Sequence, residues 1–192
     1  LNPYLGCQHG CIYCYAMDFT RGEPGERWGE VVYVKVNLIQ ALLRDMRRFR
    51  PGIVGVSTIT DPYQPVESRY KLTRRAIEVL CNAGYHVSIQ TKSALIIRDI
   101  DVISKCGSAI DVGFTITTMR DTYRAIEPMA AHPRARASAL RKIASLGVET
   151  WIFLGPVIPG INDSREDYES VIRLAKETNS QVIIDRFRPR PA

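Results

Sequence analysis

An α/β fold with a parallel, barrel-like sheet is what this sequence predicts, and three observations predict it. Apolar runs of strand length alternate with amphipathic stretches of helix length from residue 53 to residue 184. Glycines at 84, 107 and 147 fall where those helical stretches stop. No Gly-x-Gly-x-x-Gly turn opens a helix after a strand, which argues against an open doubly wound sheet. Strands that alternate with helices need crossover connections and therefore run parallel. Five strands are visible and at least one more is expected before the first cysteine. That gives a sheet of about six strands, fewer than the eight of a closed TIM barrel. With 192 residues, 45% hydrophobic and 24% charged, the chain suits one globular domain with a substantial core.

Taken in order, residues 20–30 carry Gly22, Pro24, Gly25 and Gly29 among charges and read as a surface loop. An apolar run at 31–36 leads to Asn37, an expected N-cap. Leu38, Leu42, Leu43, Met46 and Phe49 follow at helical spacing, with Arg44, Arg47, Arg48 and Arg50 towards water. Cations at that end complement the helix dipole. Pro51-Gly52 stops the helix, and strands are expected at 53–57, 86–90, 110–116, 149–154 and 182–184. Helices are expected at 72–81, 97–106, 133–146 and 164–177, the last capped from within 162–164.

Three of the five cysteines, Cys7, Cys11 and Cys14, lie within eight residues at the amino end. Thiolates are soft donors suited to zinc, copper(I) or iron–sulfur clusters. A structural zinc site needs four ligands, and the next residues supply no paired fourth. Three thiolates on a cubane leave one iron open to a small chelating molecule. A zinc site completed by His9, Cys81 or Cys106 is the alternative, as is a redox disulfide. An odd, clustered cysteine count makes a disulfide framework unexpected and suits a reducing cytoplasm. No run reaches the ~18 apolar residues of a membrane span. The net charge of +6 permits a nucleic-acid partner, but the basic residues are spread along the chain.

The string Asn2-Pro3-Tyr4-Leu5-Gly6-Cys7-Gln8-His9-Gly10-Cys11-Ile12-Tyr13-Cys14-Tyr15-Ala16 resembles the signature of the radical S-adenosylmethionine (SAM) enzymes, in the branch related to spore photoproduct lyase. So does Thr60-Asp61-Pro62-Tyr63-Gln64-Pro65-Val66-Glu67. The resemblance implies a partial (β/α)6 barrel spanning residues 1–192 as a core domain, expected to be a fragment lacking its first strand and any carboxyl-terminal extension. It also implies a 4Fe-4S cluster on Cys7, Cys11 and Cys14 and a SAM molecule on the open iron. An electron donor such as flavodoxin or ferredoxin is implied as partner.

Ligands of parallel α/β folds sit at the carboxyl ends of strands. The cofactor-binding set carried over is accordingly Tyr13, Tyr15, Thr60, Asp61, Lys92, Thr115, Thr117, Arg136 and Ile161. Lys92 is expected at the methionine part and one of the two threonines at the ribose. Arg136, with Arg134 as alternative, is expected at the carboxylate, and Ile161 at the adenine. The lyase branch presents a hydrogen-donating cysteine near the second strand end, where this chain has Ser57, Thr58, Ile59 and Thr60. Lyase chemistry would need a displaced donor such as Cys81, Cys106 or Tyr63.

Overall fold

The computed structural model describes residues 1–189. Strands β3 (Ile53–Val56), β4 (His86–Thr91), β5 (Ile110–Thr115), β6 (Glu149–Val157) and β7 (Gln181–Arg186) form one sheet in the sequential order β3-β4-β5-β6-β7. Every neighbouring pair is parallel. Sequential order with no reversal is the arrangement of a barrel wall and supplies no switch point of the doubly wound kind. The sheet is not closed. A two-stranded antiparallel ribbon, β1 (Tyr4–Leu5) and β2 (Tyr33–Val34), stands beside it.

On the free edge of β3, the Leu1 amino group donates to the Gly55 carbonyl and the Ser57 amide donates to the Leu1 carbonyl, each at 2.8 Å. This is the bonding of a parallel bridge opposite Val56. The sheet itself has five strands among the described residues, and the chain enters the cysteine loop from this contact.

The helices are α1 (Ala16–Phe19), α2 (Glu23–Glu26), α3 (Leu38–Asp45), α4 (Glu67–Tyr70), α5 (Leu72–Asn82), α6 (Ile100–Cys106), α7 (Tyr123–Ile126), α8 (Pro133–Ala144) and α9 (Arg165–Thr178). Val87, Ile89, Val112, Phe114, Ile152 and Leu154 of the sheet pack with apolar residues of α5, α6, α8 and α9 in one core. Burial of each large aliphatic side chain contributes about 1.5–3 kcal/mol. Gly84, Gly107 and Gly147 adopt φ of +78°, +58° and +77°, values open to glycine without a Cβ penalty, which is why helices stop there. Ser164 and Asp167 form a capping box that starts α9.

Several expectations are corrected. Asn37 stands at the start of α3 but makes no side-chain capping bond, and α3 ends at Asp45 rather than near Phe49. The helix expected over 97–106 is two elements, a 3₁₀ turn Ala94–Asp99 and then α6. Ser93 accepts from the Leu95 amide and starts the turn early. The last two strands run longer than expected.

The absence of disulfides is also corrected: Cys81 at the end of α5 and Cys106 at the end of α6 are bonded, with Cα atoms 5.5 Å apart. The bridge closes a loop of 25 residues between packed helices. Replacing both cysteines by serine is expected to lower stability by about 3 kcal/mol in chemical unfolding, the effect of releasing a loop of this length in the unfolded chain. Among the described residues no helix is long and apolar enough to cross a membrane.

Candidate active site

The carboxyl ends of β3 to β7 open into a cavity of about 430 Å³. The cysteine loop forms one wall with Cys7, Cys11 and Cys14, and the opposite rim carries Arg186, Phe187 and Arg188 from the end of β7. These three cysteines are free, and the other two are bonded to each other.

Two segments clasp the cysteine loop. The turn after β3 holds its first half: the Gln8 amide donates to Gln64 Oε1 at 2.9 Å and the Val66 amide donates to Gln8 Oε1 at 2.6 Å. The hydroxyl of Thr60 donates to the Gly6 carbonyl at 2.6 Å. The segment after α7 holds the second half: the Ile12 amide donates to the Ile126 carbonyl at 3.1 Å, and the Met129 amide donates to the His9 carbonyl at 3.2 Å. The Tyr13 hydroxyl donates to Glu127. The Thr-Asp-Pro-Tyr-Gln-Pro-x-Glu string and the segment 126–129, with Glu127 and Pro128 in it, thus have a shared use, which is to fix the loop between them. Glu67, fully buried, anchors the first clasp by accepting from the Tyr4 hydroxyl and the Thr73 amide and pairing with Arg98 at 2.9 Å.

Asp61 joins this clasp to β4. It accepts from the Thr91 hydroxyl and the Lys92 amide, each at 2.7 Å, and from the Tyr63 amide at 2.8 Å; buried His9 lies 3.3 Å away. Burial works against the carboxylate charge, but His9, the Lys92 amide and the Thr91 hydroxyl outweigh it and hold the pKa at about 2. A depressed folded pKa contributes stability that is present above the ordinary value of 3.8 and is lost as pH falls towards 2. Asp61→Asn is expected to remove about 2 kcal/mol of that acid dependence, read as a shallower loss of stability between those pH values.

Burial pushes the Cys7 thiol up, with Asp61 and Cys11 adding to it and the amides of His9 and Asp61 opposing. Burial also raises Cys11, to about 12, with Lys92 opposing and Glu127 adding. At neutral pH these thiols are protonated, so binding of a metal releases protons. Among the described residues no three His, Cys, Asp or Glu side chains are gathered as a ready ligand set. The donor chemistry nevertheless fits an iron–sulfur group: three free thiols on one wall, and no fourth cysteine within reach of them. Of the fourth ligands named for the zinc alternative, Cys81 and Cys106 are bonded together, and His9 faces Asp61 through Nε2.

Of the remaining expected residues, Tyr13, Tyr15, Thr60, Asp61, Lys92 and Thr115 line the cavity. Lys92 Nζ sits 5.6 Å from the Tyr13 ring centre. Desolvation disfavours its charge, but Cys11 and Glu127 prevail and raise its pKa. Thr115 accepts from Gln90 at 2.9 Å, and Tyr15 donates to the Thr58 carbonyl.

Thr117, Ile161 and Arg136 do not line the cavity. Thr117 is enclosed beyond the strand end, and the Ile161 carbonyl accepts from Arg120. Arg136 is fully buried, 2.5 Å from Glu127, and donates to the carbonyls of Ala131 and Thr115 at 2.7 and 3.0 Å. Its guanidinium is engaged by Glu127 and these two carbonyls, and Arg136 is not among the residues that line the cavity; Arg134 is exposed. None of the displaced donors Cys81, Cys106 and Tyr63 lines the cavity.

Residues that sequence reasoning passed over on this wall are Trp28, Gln90, Gly155 and the β7 end at Asp185–Arg188. At Gly155 an added Cβ would meet the Phe153 ring at 2.6 Å, so a larger residue there would have to displace that ring. Nothing in the sequence pattern pointed to Trp28, which arrives from the loop between α2 and β2.

The chain belongs to the radical SAM superfamily, whose family model matches residues 1–175. It is 34% identical to the uncharacterized protein MJ0683 of Methanocaldococcus jannaschii over 164 residues, covering 85% of this chain and 61% of that protein. It is 26% identical to a protein of Pseudomonas phage M6 named Radical SAM Nalpha-GlyT isomerase, covering 95% of this chain and 38% of that protein. A spore photoproduct lyase variant with bound AdoMet and dinucleoside spore photoproduct superposes with a TM-score of 0.74 at 19% identity, over 98% of this chain and 56% of that one. Streptococcus suis SuiB bound to S-adenosylmethionine gives 0.65 at 13% identity, over 97% and 38%. These structures share the α/β fold. The chain spans between about half and three fifths of the length of the first relatives it matches.

Proposed function

We propose that this domain is the core of a radical SAM enzyme in which Cys7, Cys11 and Cys14 hold a 4Fe-4S cluster and SAM occupies the cavity beside it. One observation carries the reading: the three free thiols form a wall of the cavity at the strand ends, while the other two cysteines are bonded to each other. When bound, the cluster and SAM supply reductive cleavage of a carbon–sulfur bond, giving methionine and a 5'-deoxyadenosyl radical that abstracts hydrogen from a substrate.

The protein's own residues bind and orient. The two clasps hold the cysteine loop at fixed distance from the strand ends. Lys92 offers a cation to a carboxylate, and Tyr13, pinned by Glu127, keeps its ring against that cation. Thr60, Asp61 and Thr115 supply polar groups along the same cavity, and Tyr15 is a further lining residue. An electron donor such as flavodoxin or ferredoxin completes the reaction, and the substrate is unassigned.

The test is anaerobic reconstitution followed by reduction in the presence of SAM. The expected products are methionine and 5'-deoxyadenosine, formed even without substrate. Stoichiometric zinc with no SAM cleavage would overturn the reading.

A further inference from the structure

Among the described residues that line the cavity, Trp28 Nε1 and Ser57 Oγ are buried with no hydrogen-bond partner and no ion-pair partner within the protein; the ring nitrogens of His9 also make no hydrogen bond, but His9 faces the Asp61 carboxylate at 3.3 Å. Buried donors are almost always satisfied, so an unsatisfied pair on one cavity points to a partner that comes from outside the fold. Trp28 offers a donor only, and Ser57 offers a hydroxyl that rotates to donate or accept.

Each is placed there deliberately by the backbone. Ser57 follows β3 with φ of +69°, a left-handed conformation that a residue with a Cβ adopts at a cost. Its own amide is held by the Leu1 carbonyl at 2.8 Å, so the sheet enforces the turn. Trp28 lies in the connection between α2 and β2, outside all the strand-end motifs. It is seated by Gly29, where an added Cβ would lie 3.1 Å from the Gly10 Cα. That contact lets the Trp28 segment touch the cysteine loop between Cys7 and Cys11.

We infer that Trp28 and Ser57 form a recognition subsite for a hydrogen-bond-accepting group of SAM, an inference that rests on the reading above. SAM is assigned rather than a second substrate because both residues adjoin the thiol wall: Trp28 through the Gly29–Gly10 contact, Ser57 through the turn that clasps the loop. The carboxylate, hydroxyl oxygens and ring nitrogens of SAM all supply acceptors.

Equilibrium binding of SAM to the reconstituted protein tests this, with Trp28→Phe and Ser57→Gly as variants. Phenylalanine keeps the ring and removes the donor; glycine accepts the positive φ without strain and removes the hydroxyl. Each variant is expected to bind SAM about fivefold to tenfold more weakly, with iron content unchanged. Ser57→Gly is expected to melt no lower than the parent, which separates a lost ligand contact from a damaged fold. SAM affinity within twofold of the parent in both variants, at full iron content, overturns the inference. If the parent itself takes up neither iron nor SAM, the radical SAM reading fails and this subsite falls with it.

Discussion

Cys11→Ala is expected to reduce bound iron from about four atoms per reconstituted chain to near none. The expectation follows from the donor count. The thiols of Cys7, Cys11 and Cys14 are the only free ones in the sequence, because Cys81 and Cys106 are bonded across α5 and α6. Neither of those can move in to replace a missing ligand without breaking that bridge. His9, the histidine within the same loop, is buried with Nε2 3.3 Å from Asp61. The backbone on either side of Cys11 is tied to Cys7 and to Ile126 by hydrogen bonds. Iron and sulfide analysis with the visible absorption of the reconstituted protein measures the outcome. Retention of the full iron content in Cys11→Ala would remove this residue from the cluster.

Arg136→Leu is expected to cost about 3–5 kcal/mol of stability, the penalty of leaving one member of a buried ion pair without its partner. Glu127 would keep its Tyr13 contact but lose the cation 2.5 Å away, in a place where neither side chain is exposed to water. The carbonyls of Ala131 and Thr115 would each lose a donor. A double variant, Arg136→Leu with Glu127→Gln, should recover part of the loss because the orphaned charge is gone. Chemical unfolding of the apo protein measures both. A change below about 1 kcal/mol would contradict the structural role, since it falls under the usual penalty for a broken buried pair. SAM affinity lost without loss of stability would instead return Arg136 to the ligand.

Arg136 also shows where sequence reasoning stopped. Its position at the start of a helix after a strand end was legible, but its partner was not. Glu127 lies nine residues away along the chain, and a pattern of residue types does not say which of two nearby groups a guanidinium will meet. Thr115 and Thr117 pose the same question. Alternation put both on one face, yet the strand ends at Thr115, and Thr117 turns behind the cavity towards Asn162, which donates to its carbonyl.

The parallel sheet was readable because apolar runs, glycine stops and helical stripes are local signals. The disulfide was not readable, since Cys81 and Cys106 meet only after α5 and α6 pack side by side. Trp28 was hidden for a related reason: its place depends on two glycine backbones, Gly10 and Gly29, touching across 19 residues, and their lack of side chains leaves no pattern to read. The cysteine loop and the Thr-Asp-Pro-Tyr-Gln-Pro string carried the cavity, because spacing and residue type there are the chemistry itself.

The most direct measurement is the Mössbauer spectrum of protein reconstituted with isotopically labelled iron, recorded with and without SAM. Three cysteine ligands on a four-iron cubane leave about one iron in four distinct from the rest. That subsite alone should shift when SAM is added, and in Cys11→Ala the whole spectrum should be lost. A spectrum of four equivalent irons that SAM leaves unchanged would contradict the account.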